Sequence, residues 1–356
     1  MTGNARIESL GVYIPPAVVT TDELLKSCKH RPRLDLERIT GIRERHVAEG
    51  EYAVDLGIRA AERALEMSRY SAADLGMVIC TSISKYNREQ AVDFEPATSV
   101  AVRRAIGASN SINFDIVNAC AGMFNGILVM ENFLRTGAIK CGMVVSGEYN
   151  WPLTDSATRE IRHTFDHQLA SLTLGDAGAA MILDRTDDDT YGFHYLEMVT
   201  GAKHNQYCYS IPSQRGPGGI LVTNAVGLQR KGAEHFPQYL KKAVERTGWS
   251  LDDVDYGIAH QASVRVVKRG VKEVAKFIGE EVPHEYLYNC DVYGNTTTTS
   301  HSVVLDEFMR NGTIDRDHKI LFVSGASGIV ITHATYTMDD LPERYRAHHA
   351  HHGGEE

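Results

Sequence analysis

Short apolar runs recur along this 356-residue chain, and helical stretches separate one from the next. A run such as MVICTSI at 77–83 is apolar and β-branched over its first part and reads as a strand covered on both faces. The other strand-like runs are 6–14, 111–118, 143–148, 175–184, 254–261, 319–328 and the IVITHATYTM run that follows. Between them, 52–67, 97–107, 121–136, 233–247, 263–278 and 301–311 carry helical spacing. Thr20 or Asp22 is a plausible N-cap for a helix starting near 21, and Gly312 a C-cap for the helix 301–311. Strands alternating with helices predict an α/β fold whose sheet is mostly parallel and covered on both faces.

The second half repeats the grammar of the first. DLGMVICTSI (74–83) resembles VDYGIAHQAS (254–263), and GDAGAAMIL (175–183) is matched by SGASGIVIT (324–332). No Pro/Ser-rich linker interrupts the chain, so two copies of one unit are expected, 1–185 and 186–338. Residues 150–173 read as an excursion loop. The tail 339–356, with its HHAHH run, reads as a flexible, solvated terminus rather than a metal site.

Charge and composition exclude several classes. The chain has 37 basic and 46 acidic side chains, a net charge of −9, which argues against a nucleic-acid binder. No apolar run reaches the ~20 residues of a membrane span. The start, MTGNARIESLGVYIPP, has no apolar secretory core, and six cysteines are scattered without a CxxC pair. A cytoplasmic protein with reduced thiols is therefore expected.

Four short segments carry chemistry. In FDIVNACAGMFNGI, Cys120 follows a strand and precedes an apolar helix, where N-terminal N–H groups favour a thiolate; small neighbours leave room for a substrate. In IAHQAS, a strand delivers His260 at its C-terminal end, where sites form in parallel sheets. In VYGNTTTTS, a tight turn presents the amide of Asn295. The SGASG turn at 324–328 lets backbone approach a ligand closely, as an oxyanion hole requires. Taken singly, each has a plainer account: a buried cysteine, one histidine among 16, a capped turn, a strand reversal.

Taken together, in this order, they resemble the β-ketoacyl-acyl-carrier-protein synthase III family of the thiolase superfamily. TGIRERH at 40–46 and LGDAGAAMIL at 174–183 extend the match over about 6–336. The resemblance implies a five-layered αβαβα fold of two similar halves, usually a homodimer. It implies a triad of Cys120, His260 and Asn295, with the N–H groups of Cys120 and Gly328 as oxyanion hole. The implied reaction loads an acyl group from a thioester onto Cys120. A malonyl-type thioester then decarboxylates and attacks it, with no metal or redox cofactor. Relatives that pass the acyl group to a hydroxyl or amine are the alternative.

Three departures point to a specialised relative, as in polyketide or similar secondary metabolism. Ser263 stands where the family has the Asn of HQAN. RPRLDLERITG lacks the family's adenine-stacking Trp, which puts coenzyme A as donor in question. GlyAlaSerGly replaces the triple glycine. After His260, Arg265, Lys268, Arg269, Lys272 and Lys276 concentrate positive charge in an acidic chain. They are either a solvated helix face or a dock for an acidic carrier protein, with Arg265 at the family's carrier-contacting position.

Overall fold

The computed structural model describes residues 3–88, 90–279 and 281–352. Ten strands form two five-stranded sheets. The first holds β1 (Ala5–Tyr13), β2 (Met77–Cys80), β3 (Ile112–Asp115), β4 (Gly142–Glu148) and β5 (Ala177–Arg185) in the order β1-β5-β4-β2-β3. The second holds β6 (Gly192–Thr200), β7 (Tyr256–Ala259), β8 (Glu285–Leu287), β9 (Lys319–Ala326) and β10 (Val330–Thr337) in the order β6-β10-β9-β7-β8. The two orders are the same order. The repeated segments fall on matching strands: 74–83 and 254–263 deliver β2 and β7, while 175–183 and 324–332 deliver β5 and β10.

The sheets are mixed, which corrects the expectation of a mostly parallel sheet. In each, two pairings are parallel and two antiparallel. In the second sheet the reason is local: the SGASGI turn joins β9 directly to β10, and a turn without a crossover helix can connect only antiparallel neighbours; in the first, β4 and β5 are antiparallel although the helix-bearing segment 149–176 joins them.

Two helices, Gly122–Arg135 and Ser300–Arg310, lie between the sheets. Their Phe124, Ile127, Met130, Val304, Leu305 and Met309 join Ile7, Ile79, Ile258 and Phe322 in one core. Ala53–Met67 and Thr98–Ala105 pack outside the first sheet, Ala225–Thr247 and Val264–Ile278 outside the second. The result is the five-layered αβαβα arrangement. Among the described residues no helix is long and apolar enough to cross a membrane.

Two segments differ from expectation. Residues 150–173 are not a loop: Trp151–Glu160 is a helix with Pro152 in its first turn, where proline is tolerated. Its Ala157, with Ile161 and Leu172, packs on Leu24, Leu25 and Leu36. The tail is not a solvated terminus either. Leu341–His352 is a helix whose Leu341 and Tyr345 are buried in the main core. Arg344 ties it to the backbone of Glu8, and the Tyr345 hydroxyl donates to Asp306. The histidines are simply its distal end; residues 353–356 lie outside the described residues. Pro237 lies inside a helix that starts at Ala225, eight residues earlier than expected.

Candidate active site

Each candidate residue lies on a segment packed against the other half: Cys120 against Ala326 and Val330, Asn295 against Thr173 and Gly175, and His260 through His301 against Phe124. Cys120 precedes the central helix Gly122–Arg135 by two residues, so the expected placement at a helix start holds. The residue before it, Ala119, has φ +46°, an unusual conformation for a residue with a Cβ. Cys120 and Ala119 pack against Ala121, Ala326, Val330 and Met198, which brings the Gly-rich turn of the second half onto the nucleophile segment. Gly328 in that turn has φ +133°, a conformation reserved for glycine, and Ile329 beside it exchanges backbone hydrogen bonds with Gly201.

The thiol environment differs from expectation. Burial pushes the Cys120 thiol well above its ordinary range, with Cys208 and Glu148 adding to the push. Desolvation therefore outweighs the helix start, and the resting group is a thiol that must lose its proton to react. Cys120 is still one of two cysteines, with Cys208, that are not buried; Cys28, Cys80, Cys141 and Cys290 are.

His260 follows β7, and its backbone N–H donates to Val323 O on β9. Its Nδ1 lies 2.9 Å from Ser300 Oγ. Burial and the nearby His301 pull it down to about 3, so the ring is neutral at neutral pH. Ser300 can then donate to Nδ1, leaving the proton on Nε2. His301 lies beside it, ring centroids 6.2 Å apart, donates from Nε2 to Val323 O at 3.0 Å, and meets Phe124 edge-on at 4.9 Å. A stack of Phe124, His301 and His260 thus connects the central helix to β7. The sequence places this helix within one residue but does not show Ser300 and His301 as site neighbours, because only the packing of the helix against β7 brings them to His260.

Asn295 sits on the turn after Cys290–Tyr293. Gly294 has φ +68°, and a Cβ there would lie 2.9 Å from Thr173 O. Asn295 N donates to Thr173 O at 2.8 Å and its carbonyl accepts from Gly175 N at 3.1 Å, so the first half grips this turn of the second. The side-chain Oδ1 accepts from Thr297 N at 3.0 Å. That fixes the amide: the oxygen is tied back and Nδ2 is the end left to donate. Further along, Thr298 Oγ1 donates to Glu148 Oε1 at 2.5 Å, and its Cγ2 lies 3.2 Å from where a Cβ on Gly122 would stand. The threonine run is thus packed against the start of the Cys120 helix.

Ser263, at the position that departs from HQAN, caps the helix Val264–Ile278 by accepting from Val266 N at 3.2 Å. Arg265, Lys268, Arg269, Lys272 and Lys276 are all exposed along that helix. Among the described residues no group of three or more His, Cys, Asp or Glu is arranged to hold a metal.

A duplicated αβαβα sandwich that brings such a cysteine, histidine and asparagine to its central joint defines a thiolase-fold protein. Solved structures agree on the fold: a Xanthomonas campestris OleA variant matches with TM-score 0.81 at 22% identity, over 94% of this chain and 98% of that one. The priming β-ketosynthase of a polyketide biosynthetic pathway matches with TM-score 0.79 at 21% identity, over 95% and 97%. Within that fold, the chain belongs to the 3-oxoacyl-[acyl-carrier-protein] synthase III family. Residues 114–203 match the family's synthase III model and 244–338 its C-terminal model. The β-ketoacyl-[acyl-carrier-protein] synthase III of Desulfitobacterium hafniense is 30% identical over 340 residues, 91% of this chain and 94% of that protein.

Proposed function

We propose that this chain is a decarboxylating condensing enzyme acting on acyl thioesters. The observation that carries the proposal is the pair of neutral donors: Asn295 with its amide oxygen tied to Thr297 N, and His260 with Nδ1 engaged by Ser300. Both leave an N–H to point at a developing oxyanion.

In the first half-reaction the Cys120 thiolate attacks a thioester carbonyl, and the carrier thiol leaves with a proton. The backbone N–H groups of Cys120 and Gly328 hold the tetrahedral oxygen. In the second, a malonyl-type thioester loses CO₂. The electrons of the broken C–C bond pass into an enolate, whose oxygen His260 and Asn295 stabilise. The enolate carbon attacks the acyl group, a C–C bond forms, and the Cys120 sulfur leaves. The scheme draws on side chains and thioester substrates alone. The proposal includes the family's homodimer; Ile112 and Val117 are exposed on and just after the edge strand β3.

Incubation with an acyl thioester followed by peptide mapping tests the first half. The adduct is expected on Cys120 and absent from Cys120→Ser. An adduct on Cys208, the other accessible thiol, or one surviving in Cys120→Ser, overturns the assignment.

The basic helix supports an acidic acyl carrier protein as partner. Its five cations fall at positions 265, 268, 269, 272 and 276, one stripe at helical spacing. Arg265 Nε donates to Arg38 O at 3.2 Å, and Lys268 Nζ stands 5.1 Å over the Tyr288 ring, so both are held at the surface. Charge reversal at Lys268 and Arg269 is expected to raise KM for a carrier-bound substrate about tenfold at low salt and to leave small-thioester turnover near wild type. Equal losses with both substrates would dismiss the docking role.

A further inference from the structure

The turn that carries Asn295 is held from two sides by buried ionisable side chains that, among the described residues, have no hydrogen-bonded partner of opposite charge. Arg45, from the TGIRERH segment, is fully buried. Its Nη2 donates to Thr21 Oγ1 at 3.0 Å and Leu172 O at 2.8 Å, and its Nη1 to Val19 O at 3.2 Å; its Nε has no partner. No carboxylate is among its hydrogen-bond partners. Glu148, at the end of β4, is also fully buried. It accepts from Ile83 N, Ser84 N, Ser84 Oγ, Ser146 Oγ and Thr298 Oγ1, and from no cation.

Burying a lone charge costs several kcal/mol unless its hydrogen bonds are completed around it. Completing them here means fixing particular backbone. Arg45 fixes Leu172 O, the residue before Thr173, and Thr173 O and Gly175 N are the groups that hold Asn295. The Arg45 stem fills the remaining space: its Cβ would be 2.9 Å from a Cβ on Gly294 and 3.3 Å from one on Gly175. Glu148 acts from the far side through Thr298, three residues beyond Asn295, whose hydroxyl also lies 2.7 Å from Ser146 Oγ.

We propose that Arg45 and Glu148 are positioning residues that set the Asn295 amide, clamping an element of the second half onto the first. This rests on the condensing function proposed above. It makes the Arg45 and Thr298 contacts matter to the step that uses Asn295, enolate formation, and not to loading of Cys120, on which Glu148 acts separately through its charge. A shift of about 1 Å in a catalytic group can cost on the order of 10²-fold in rate.

The test uses three variants, because Arg45→Met alone risks the fold. Thr298→Val keeps the shape and breaks only the link to Glu148 and Ser146. Arg45→Met removes the guanidinium, and Arg45→Lys, which retains a cation, should restore part of the loss. For each, single-turnover acylation of Cys120 and CO₂ release from a malonyl thioester are measured separately. The expected result is acylation within about twofold of wild type with CO₂ release down about 10–10²-fold. In an Asn295→Ala background neither change should cost anything further, since both act through that amide. Equal loss in both half-reactions of a folded Thr298→Val protein, or additive loss in the Asn295→Ala background, overturns the proposal. If Asn295→Ala abolishes CO₂ release while Thr298→Val and Arg45→Met match wild type, the inference alone fails. A wild-type protein that releases no CO₂ overturns the functional reading and this inference with it.

Discussion

Replacement of Asn295 by alanine is expected to leave acyl-Cys120 formation intact and to lower CO₂ release and product formation by about 10²–10³. Loading needs only the thiol, whose proton passes to the departing carrier thiolate, and backbone donors. The Asn295 amide is called on when negative charge reaches the extender's carbonyl oxygen. Losing one preorganised donor in a water-poor site typically costs on that order. Asn295→Asp sharpens the test. Its carboxylate keeps an oxygen for Thr297 N, so the turn retains its internal bond, but it offers no N–H and adds charge beside the enolate. It should therefore be at least as poor as alanine in the second step. Scintillation counting of ¹⁴CO₂ alongside intact-mass analysis of the acyl-enzyme separates the two steps. If wild type turns over without CO₂ release, and Asn295→Ala transfers acyl groups to a hydroxyl or amine equally well, condensation is the wrong reaction and plain acyl transfer takes its place.

The parts of this site that are legible in the sequence are the ones made by local chain. Cys120 lies between a strand and a helix within fourteen residues, and His260 at the end of a strand, so both placements follow from pattern. The duplication is legible because the same strand is delivered by similar segments in each half. What pattern could not give is contact across the joint. Nothing near Arg45 marks it as buried against Gly294, because the two are 249 residues apart and meet only in the folded chain. The same holds for Thr298 on Glu148 and, within the second half, for Ser300 beside His260. The helix at 151–160 was hidden because most of what it buries is polar, Thr154, Ser156, Thr158 and Glu160, and the one at 341–352 because it buries only a narrow apolar stripe. The mixed sheet direction depends on how the chain returns to the sheet, which the apolar runs do not encode.

The fold is expected to lose stability steeply below about pH 6.5, and buried histidines are the reason. Burial pulls His260 and His333 down to about 3 and His284 and His301 to about 4. All four are buried, so the folded protein keeps them neutral between pH 4 and 6.5. The unfolded chain protonates them near their ordinary value of about 6.5. A group with a depressed folded pKa that is neutral when deprotonated favours the folded state only above the unfolded pKa, and its contribution falls away as pH drops. Asp176 has the opposite sign. Burial pushes it up to about 7 against hydrogen bonds from Ala48 N and Asn150 N, so below pH 7 it is protonated in the folded chain and ionised in the unfolded one. Near pH 5.5 the unfolded state thus binds about four protons more through histidine and one fewer through Asp176. The net of about three protons gives a slope of about 4 kcal/mol per pH unit. Between pH 7 and pH 5 the summed loss is on the order of 5 kcal/mol, comparable to the whole stability of many domains. Chemical denaturation at pH 7, 6 and 5.5 measures it. His333 pairs with Val323 across the sheet and its ring faces Phe236, 6.0 Å away. His333→Leu should therefore flatten the slope by about 1.4 kcal/mol per pH unit. A stability that stays level from pH 7 to 5.5, or a slope that His333→Leu leaves unchanged, would show that these imidazoles take up protons in the folded state as readily as in the unfolded chain.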